Sequence, residues 1–131
     1  MSVFFTKTKI KIMKKIVFVL TLLLGTVSFA QNKNAKATIE VDGVCTMCKE
    51  RIEKAAIKAK GVKIANWDVN THELKLIFDE RKTSLKAIQQ SIVEVGHDTK
   101  EIKATDEAYN SLHACCYYRD DAVKDDHKNN K

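Results

Sequence analysis

The sequence predicts an α+β domain, a four-stranded antiparallel sheet with two helices on one face. Three observations carry that prediction. Short stretches alternate apolar and polar residues with a period of two; longer stretches repeat apolar residues at helical spacing; and they follow one another as strand, helix, strand, strand, helix, strand.

The first strand is read from Ala37, Ile39 and Val41, which alternate with Thr38, Glu40 and Asp42. Gly43 and a cysteine loop end it. From Cys48 the period becomes helical, with Cys48, Ile52, Ala55, Ala56 and Ala59 on one face. Gly61 closes that helix where the chain must turn. Ala65, Trp67 and Val69 share a face of the second strand, whose phase changes near Val62. Asn70-Thr71-His72 turns the chain, and Leu74, Leu76 and Phe78 alternate on the returning strand. Thr83 or Ser84 caps the second helix, whose stripe is Leu85, Ile88, Ile92 and Val95, and Gly96 stops it. A short fourth strand is expected around Lys100 to Ile102. This βαββαβ order is the ferredoxin-like arrangement. Thr105, Asp106 and Glu107 start a short further helix through Leu112, and from Asp120 the tail is almost wholly polar and expected to be disordered.

The first thirty residues stand apart. Met13-Lys14-Lys15 precedes an apolar run from Ile16 to Leu24 broken only by Thr21, and Ser28-Phe29-Ala30 supplies a small-x-small cleavage pattern. These are the parts of a secretory signal peptide cut before Gln31, with Met13 as an alternative start. The run is shorter than the roughly 20 residues of a membrane-spanning helix. The expected division is therefore a signal peptide over 1–30, a linker over 31–36, the domain over 37–103, a short cysteine-containing helical extension over 104–119 and a polar tail over 120–131. Such a chain is periplasmic or secreted, with no stable membrane insertion after cleavage.

Export also changes the charge. The formal net charge is +6, but five of the 23 basic residues (Lys7, Lys9, Lys11, Lys14, Lys15) and none of the 17 acidic ones lie in the first thirty positions. The remaining 18 bases face 17 acids. With no basic stripe interleaved with aromatics, no nucleic-acid role is expected.

The sharpest chemistry lies in "VDGVCTMCKERIEKA", where Cys45 and Cys48 stand three apart at a helix start. Both sulfurs can then aim at one point. Helix N-terminal N–H groups favour thiolate, expected here at Cys48, and Lys49 and Arg51 add to that field. Soft thiolates select Cu(I) and similar ions over Mg or Ca. Two suffice for near-linear Cu(I) or Hg(II), whereas structural zinc takes four ligands. An undersaturated ion stays open to an incoming cysteine.

"VDGVCTMCKERIEKA", the Gly61-Val62 pair after the first helix and "SIVEVGHDT" after the second together resemble the heavy-metal-associated domain family, over roughly Lys36 to Lys103. The most specific part is CxxC followed after three residues by Ile52-Glu53. The resemblance implies a ferredoxin-like fold and a non-enzymatic metallochaperone, which the leader over 1–30 would export. Such a protein would bind Cu(I) through Cys45 and Cys48, with Hg(II) or Zn(II) as alternatives, and pass it to a metal-transporting protein or another CxxC domain. It would be a monomer or a metal-bridged homodimer. One departure concerns the loop: the family usually has Gly-Met-Thr-Cys, and here Gly43-Val44-Cys45 is one residue shorter, so the methionine's core position passes to Val44 or Met47.

Topology places His97 at the metal end, where some family members put a histidine or an aromatic, and His97 is a further candidate ligand. His72 shares that end at greater distance. Cys115 and Cys116 are the remaining candidates. An eight-residue helix covers about 12 Å and extended residues about 3.3 Å each, enough to bring these sulfurs, and His113, back over Cys45 and Cys48. Disulfide bonding is the alternative in an oxidising compartment, and four cysteines allow three full pairings that sequence does not distinguish.

Two other functions compete. A periplasmic thiol–disulfide redox protein also uses CxxC at a helix start, but thioredoxin-like proteins rely on a cis-proline and this chain has no proline. A structural zinc module would use all four cysteines as ligands and staple the extension down.

Overall fold

The computed structural model describes residues 2–23 and 30–129. The N-terminal unit is one helix, α1 (Ser2–Leu23). Among the described residues no helix is long and apolar enough to cross a membrane. Of the expected cleavage motif, Ser28 and Phe29 lie outside the described residues.

The second unit begins with β1 (Ala35–Glu40), followed by α2 (Thr46–Lys58), β2 (Val62–Trp67), β3 (Glu73–Phe78) and α3 (Leu85–Glu94). The sheet is antiparallel with order β1-β3-β2. Ala35 pairs with Phe78 and Ile39 with Leu74 on one side, and Trp67 with Leu74 on the other. The phase change read near Val62 is a register shift between Val62 and Ile64. Period-two alternation puts Leu74, Leu76, Phe78 and Trp67 on the buried face. Against them lie Ile52, Ala55 and Ala56 of α2 and Ile88 and Ile92 of α3, in one continuous core. Glu53 ties α2 to β2, accepting from the Trp67 amide at 2.9 Å and from Lys49 Nζ at 2.6 Å. Ser84 caps α3, its hydroxyl accepting from the Ala87 amide.

The fold is thus α+β, but the sheet has three strands among the described residues. The expected fourth strand is an isolated bridge, Val41 with Thr99. Residues 99–102 fold into a tight turn instead: the Thr99 amide donates to the Ile102 carbonyl at 2.8 Å, and the Ile102 amide to Thr99 Oγ1 at 3.0 Å. The Lys100 amide still donates to the Glu40 carbonyl and the Asp42 amide to the Asp98 carbonyl, but the Thr99 and Ile102 groups used within the turn stop the ladder at one bridge.

The chain then returns across the domain. Thr105 caps α4 (Asp106–Asn110), a 3₁₀ turn spans Ala114–Cys116, and α5 covers Asp121–Asn129. The tail expected to be disordered is therefore helical. Asp120 Oδ1 accepts from the Ala122 amide at its start, an Asp121–Lys124 ion pair supports it, and His127 Nε2 reaches the Cys115 carbonyl at 3.0 Å. Leu112, Cys116 and Tyr118 are buried in the same core as the sheet and helices.

Candidate functional site: a four-cysteine cluster

Cys45 is the N-cap of α2, and Cys48 lies in its first turn facing inward with no exposed surface. Their sulfurs lie 3.3 Å apart. Gly43 makes this geometry accessible: a Cβ there would sit 2.9 Å from the Trp67 ring and 3.0 Å from Cys48 Cβ. The Trp67 ring is pinned from its other side, since its Nε1–H donates to the Val41 carbonyl at 3.0 Å. In the shortened loop Val44 packs against the core while Met47 points outward, 44% exposed, so the contact that the family gives to methionine falls to Val44.

The returning extension places Cys116 Sγ 3.5 Å from Cys45 Sγ, and Cys115 Sγ 3.9 Å from Cys116 Sγ. All four cysteines are free thiols. Two are buried, Cys48 and Cys116; Cys45 and Cys115 are partly open to solvent. An ion about 2.3 Å from each sulfur holds ligand pairs roughly 3.8–4.6 Å apart, from tetrahedral to linear. The observed spacings need to widen only slightly.

The extension is clamped by polar contacts. The Tyr118 hydroxyl donates to the Gly96 carbonyl at 2.7 Å and accepts from the Asp98 amide at 2.9 Å. Arg119 grips both Asp98 carboxylate oxygens, at 2.7 and 3.1 Å, and its guanidinium lies 4.4 Å from the Tyr109 ring centre. Gly96, at φ +98°, has no room for a side chain because a Cβ would lie 2.5 Å from the Ala108 carbonyl oxygen.

The electrostatics separate the thiols. Burial would raise the Cys45 thiol, but hydrogen bonds from the Cys48 backbone, the Cys48 and Cys116 side chains and the Met47 backbone outweigh it and lower its pKa. Burial pushes Cys48 and Cys116 up. The expected thiolate at Cys48 is thus corrected to Cys45: the cap position meets the free N–H groups, while Cys48 is already inside the core.

His97 and Cys48 both fall outside the group of mutually close donor atoms, and the buried His97 Nε2 has no hydrogen-bond partner among the described residues. Among the described residues, the three or more His, Cys, Asp or Glu donor atoms that lie within 4.8 Å of one another belong to Cys45, Cys115 and Cys116. The His97 ring is fully buried, stacks on Tyr118 at 5.5 Å, and donates from Nδ1 to the Asp42 carbonyl at 2.8 Å. Burial lowers its pKa to about 4, more than the Asp42 contact raises it. It braces the loop against the extension. His72 stacks on Trp67 instead, and His127 anchors the Cys115 carbonyl. Sequence reasoning missed Tyr118 and Arg119. The signal for the clamp was an aromatic-basic cluster, Tyr117-Tyr118-Arg119, directly after the second cysteine pair.

Residues 38–98 match the heavy-metal-associated domain. Over 63 residues the chain is 30% identical to the copper chaperone CopZ of Staphylococcus haemolyticus (strain JCSC1435), covering 47% of this chain and 93% of that protein. It is 31% identical over 67 residues to the copper chaperone CopZ of Staphylococcus saprophyticus, covering 50% and 98%. Among solved structures, oxidized MerP from Ralstonia metallidurans CH34 is 26% identical, with 51% of this chain and 97% of that one covered and a TM-score of 0.47. Cys115 and Cys116 lie beyond the matched domain.

Proposed function

This chain belongs to the heavy-metal-associated domain family, and from that premise we propose that it is an exported carrier of Cu(I). Cys45 and Cys48 hold the ion, and Cys116 closes on it as a third thiolate. The observation that carries this reading is the contact of Cys45 Sγ with both partners, at 3.3 and 3.5 Å. Thiolate-only ligation selects a soft ion, with Hg(II) served by the same donors.

Delivery is ligand exchange without electron transfer. Each thiol that binds the ion gives its proton to solvent, and each that lets go takes one back. Cys45 has the lowered pKa and partial exposure, so it receives the ion and is the sulfur a partner thiolate displaces first. The partner is a metal-transporting protein or another domain with its own CxxC. The leader over 1–30 directs the protein out of the cytoplasm; a mature chain beginning at Gln31, found by mass spectrometry of the exported fraction, tests that step.

The contiguity of four sulfurs favours one other reading, a closed zinc site with four cysteine ligands that fastens the extension. Exchange separates the two: a carrier yields its ion rapidly to a competing dithiol, whereas a closed site keeps zinc until it unfolds. For the carrier reading, the double variant Cys45→Ser/Cys48→Ser loses tight Cu(I) binding in chelator competition while its circular dichroism is unchanged. Retention by the folded double variant of an equivalent as tight as the wild type's first overturns the assignment.

A further inference from the structure

We infer that the chain carries a second, outer seat for a soft monovalent ion, centred on Cys115 and completed by Met47 and His113. This inference rests on the carrier reading above and deepens it. Cys115 Sγ lies 3.5 Å from Met47 Sδ, 3.6 Å from His113 Nδ1 and 3.9 Å from Cys116 Sγ. A thioether and an imidazole thus each lie within 3.6 Å of the partly exposed Cys115 thiol. All three suit Cu(I) or Ag(I), and no carboxylate belongs to the group of close donors found among the described residues.

The placement follows from two elements meeting. Met47 is the outward residue of the CxxC interior, on the first turn of α2. His113 is the N-cap of the 3₁₀ turn that presents Cys115 and Cys116. His127 of α5 holds the Cys115 carbonyl, and the Tyr117 hydroxyl donates to the Asn110 carbonyl at 3.2 Å, so the turn is fastened on both sides.

The outer seat widens the entry to the inner one. Cys48 and Cys116 have no exposed surface, so an ion reaches them only through the partly open sulfurs of Cys45 or Cys115. The sulfurs of Cys45, Cys115 and Cys116 lie within 4.8 Å of one another, and Cys45 also touches Cys48. The outer seat therefore borders the inner one through Cys115, whose sulfur lies 3.9 Å from Cys116 Sγ. An ion held by Cys115, whose thiol proton passes to solvent, reaches Cys45 and then Cys48 by exchanging one ligand at a time. Its oxidation state does not change, and Cys115 recovers a proton when it lets go.

The test uses silver(I) alone as the probe, titrated into the reduced, mature-length chain and read by native mass spectrometry and chelator competition. The expected result is two equivalents for the wild type and one for Cys115→Ser, whose first equivalent keeps its affinity. Met47→Leu, which preserves the apolar volume, and His113→Ala should each weaken the second equivalent by about tenfold or more, the loss that even an outer partner of a metal ligand causes. Saturation of the wild type at one equivalent, or a second equivalent that survives Cys115→Ser, overturns the outer seat and leaves the inner one standing. Failure of the wild type to bind any silver overturns the carrier reading and the outer seat together.

Discussion

Tyr118→Phe is the substitution that most cleanly isolates what fastens the extension to the domain. The ring stays, with its burial and its stacking on His97; only the hydroxyl leaves. That hydroxyl serves two buried backbone groups, the Gly96 carbonyl at 2.7 Å and the Asp98 amide at 2.9 Å. Each buried group left without a partner costs about 1–3 kcal/mol, so the substitution should destabilise the chain by roughly 2–6 kcal/mol. That is a large share of the 5–15 kcal/mol or so that holds a domain of this size. Urea unfolding of the reduced, metal-free protein measures it. With a slope of about 1–3 kcal/mol per molar, the midpoint should fall by roughly 1 M or more at constant slope. A loss below about 0.5 kcal/mol, the level of an ordinary surface change, would refute the idea that this clamp holds Cys116 beside Cys45.

Two further predictions concern the same loop. His97 is held neutral, with a folded pKa of about 4 against an ordinary 6.5, so the unfolded chain binds the extra proton between those values. Stability of the metal-free protein should therefore be full above pH 6.5 and fall as pH drops toward 4, by up to about 3 kcal/mol; His97→Gln should flatten that part of the profile, and an unchanged slope would count against the assignment. Gly43→Ala should cost about 1–3 kcal/mol by overpacking, because its Cβ meets the Trp67 ring and Cys48 at 2.9–3.0 Å, and Cu(I) affinity should fall with it; a variant of native stability and affinity would show that the loop has slack.

Much of the fold was legible because its signals are local. Leu74, Leu76 and Phe78 state a strand by alternation alone, and Leu85, Ile88, Ile92 and Val95 state a helix by spacing. Ser84 and Thr105 declare helix starts through their hydroxyls. The failures lie where long-range contacts decide. Residues 99–102 have a strand's position in the order, but Thr99 and Ile102 bond to each other and leave a single bridge to the sheet, and a polar tail became a helix because His127 and Asp120 found partners no pattern announces. Chain reach indicated that Cys115 and Cys116 could return over the CxxC loop, and the distances show that they do. It could not indicate that His97 would be enclosed by the same return. A loop histidine at the metal end is exposed in the bare domain and buried once Tyr118 lies against it.

The measurement that bears most directly on the account is X-ray absorption at the copper edge, on the mature protein loaded with one equivalent of Cu(I) and on Cys116→Ser prepared alike. Three sulfur neighbours in the wild type and two in the variant are the predicted result. Two sulfurs in both would mean that Cys116 is a spectator and that the extension merely shelters a site complete without it.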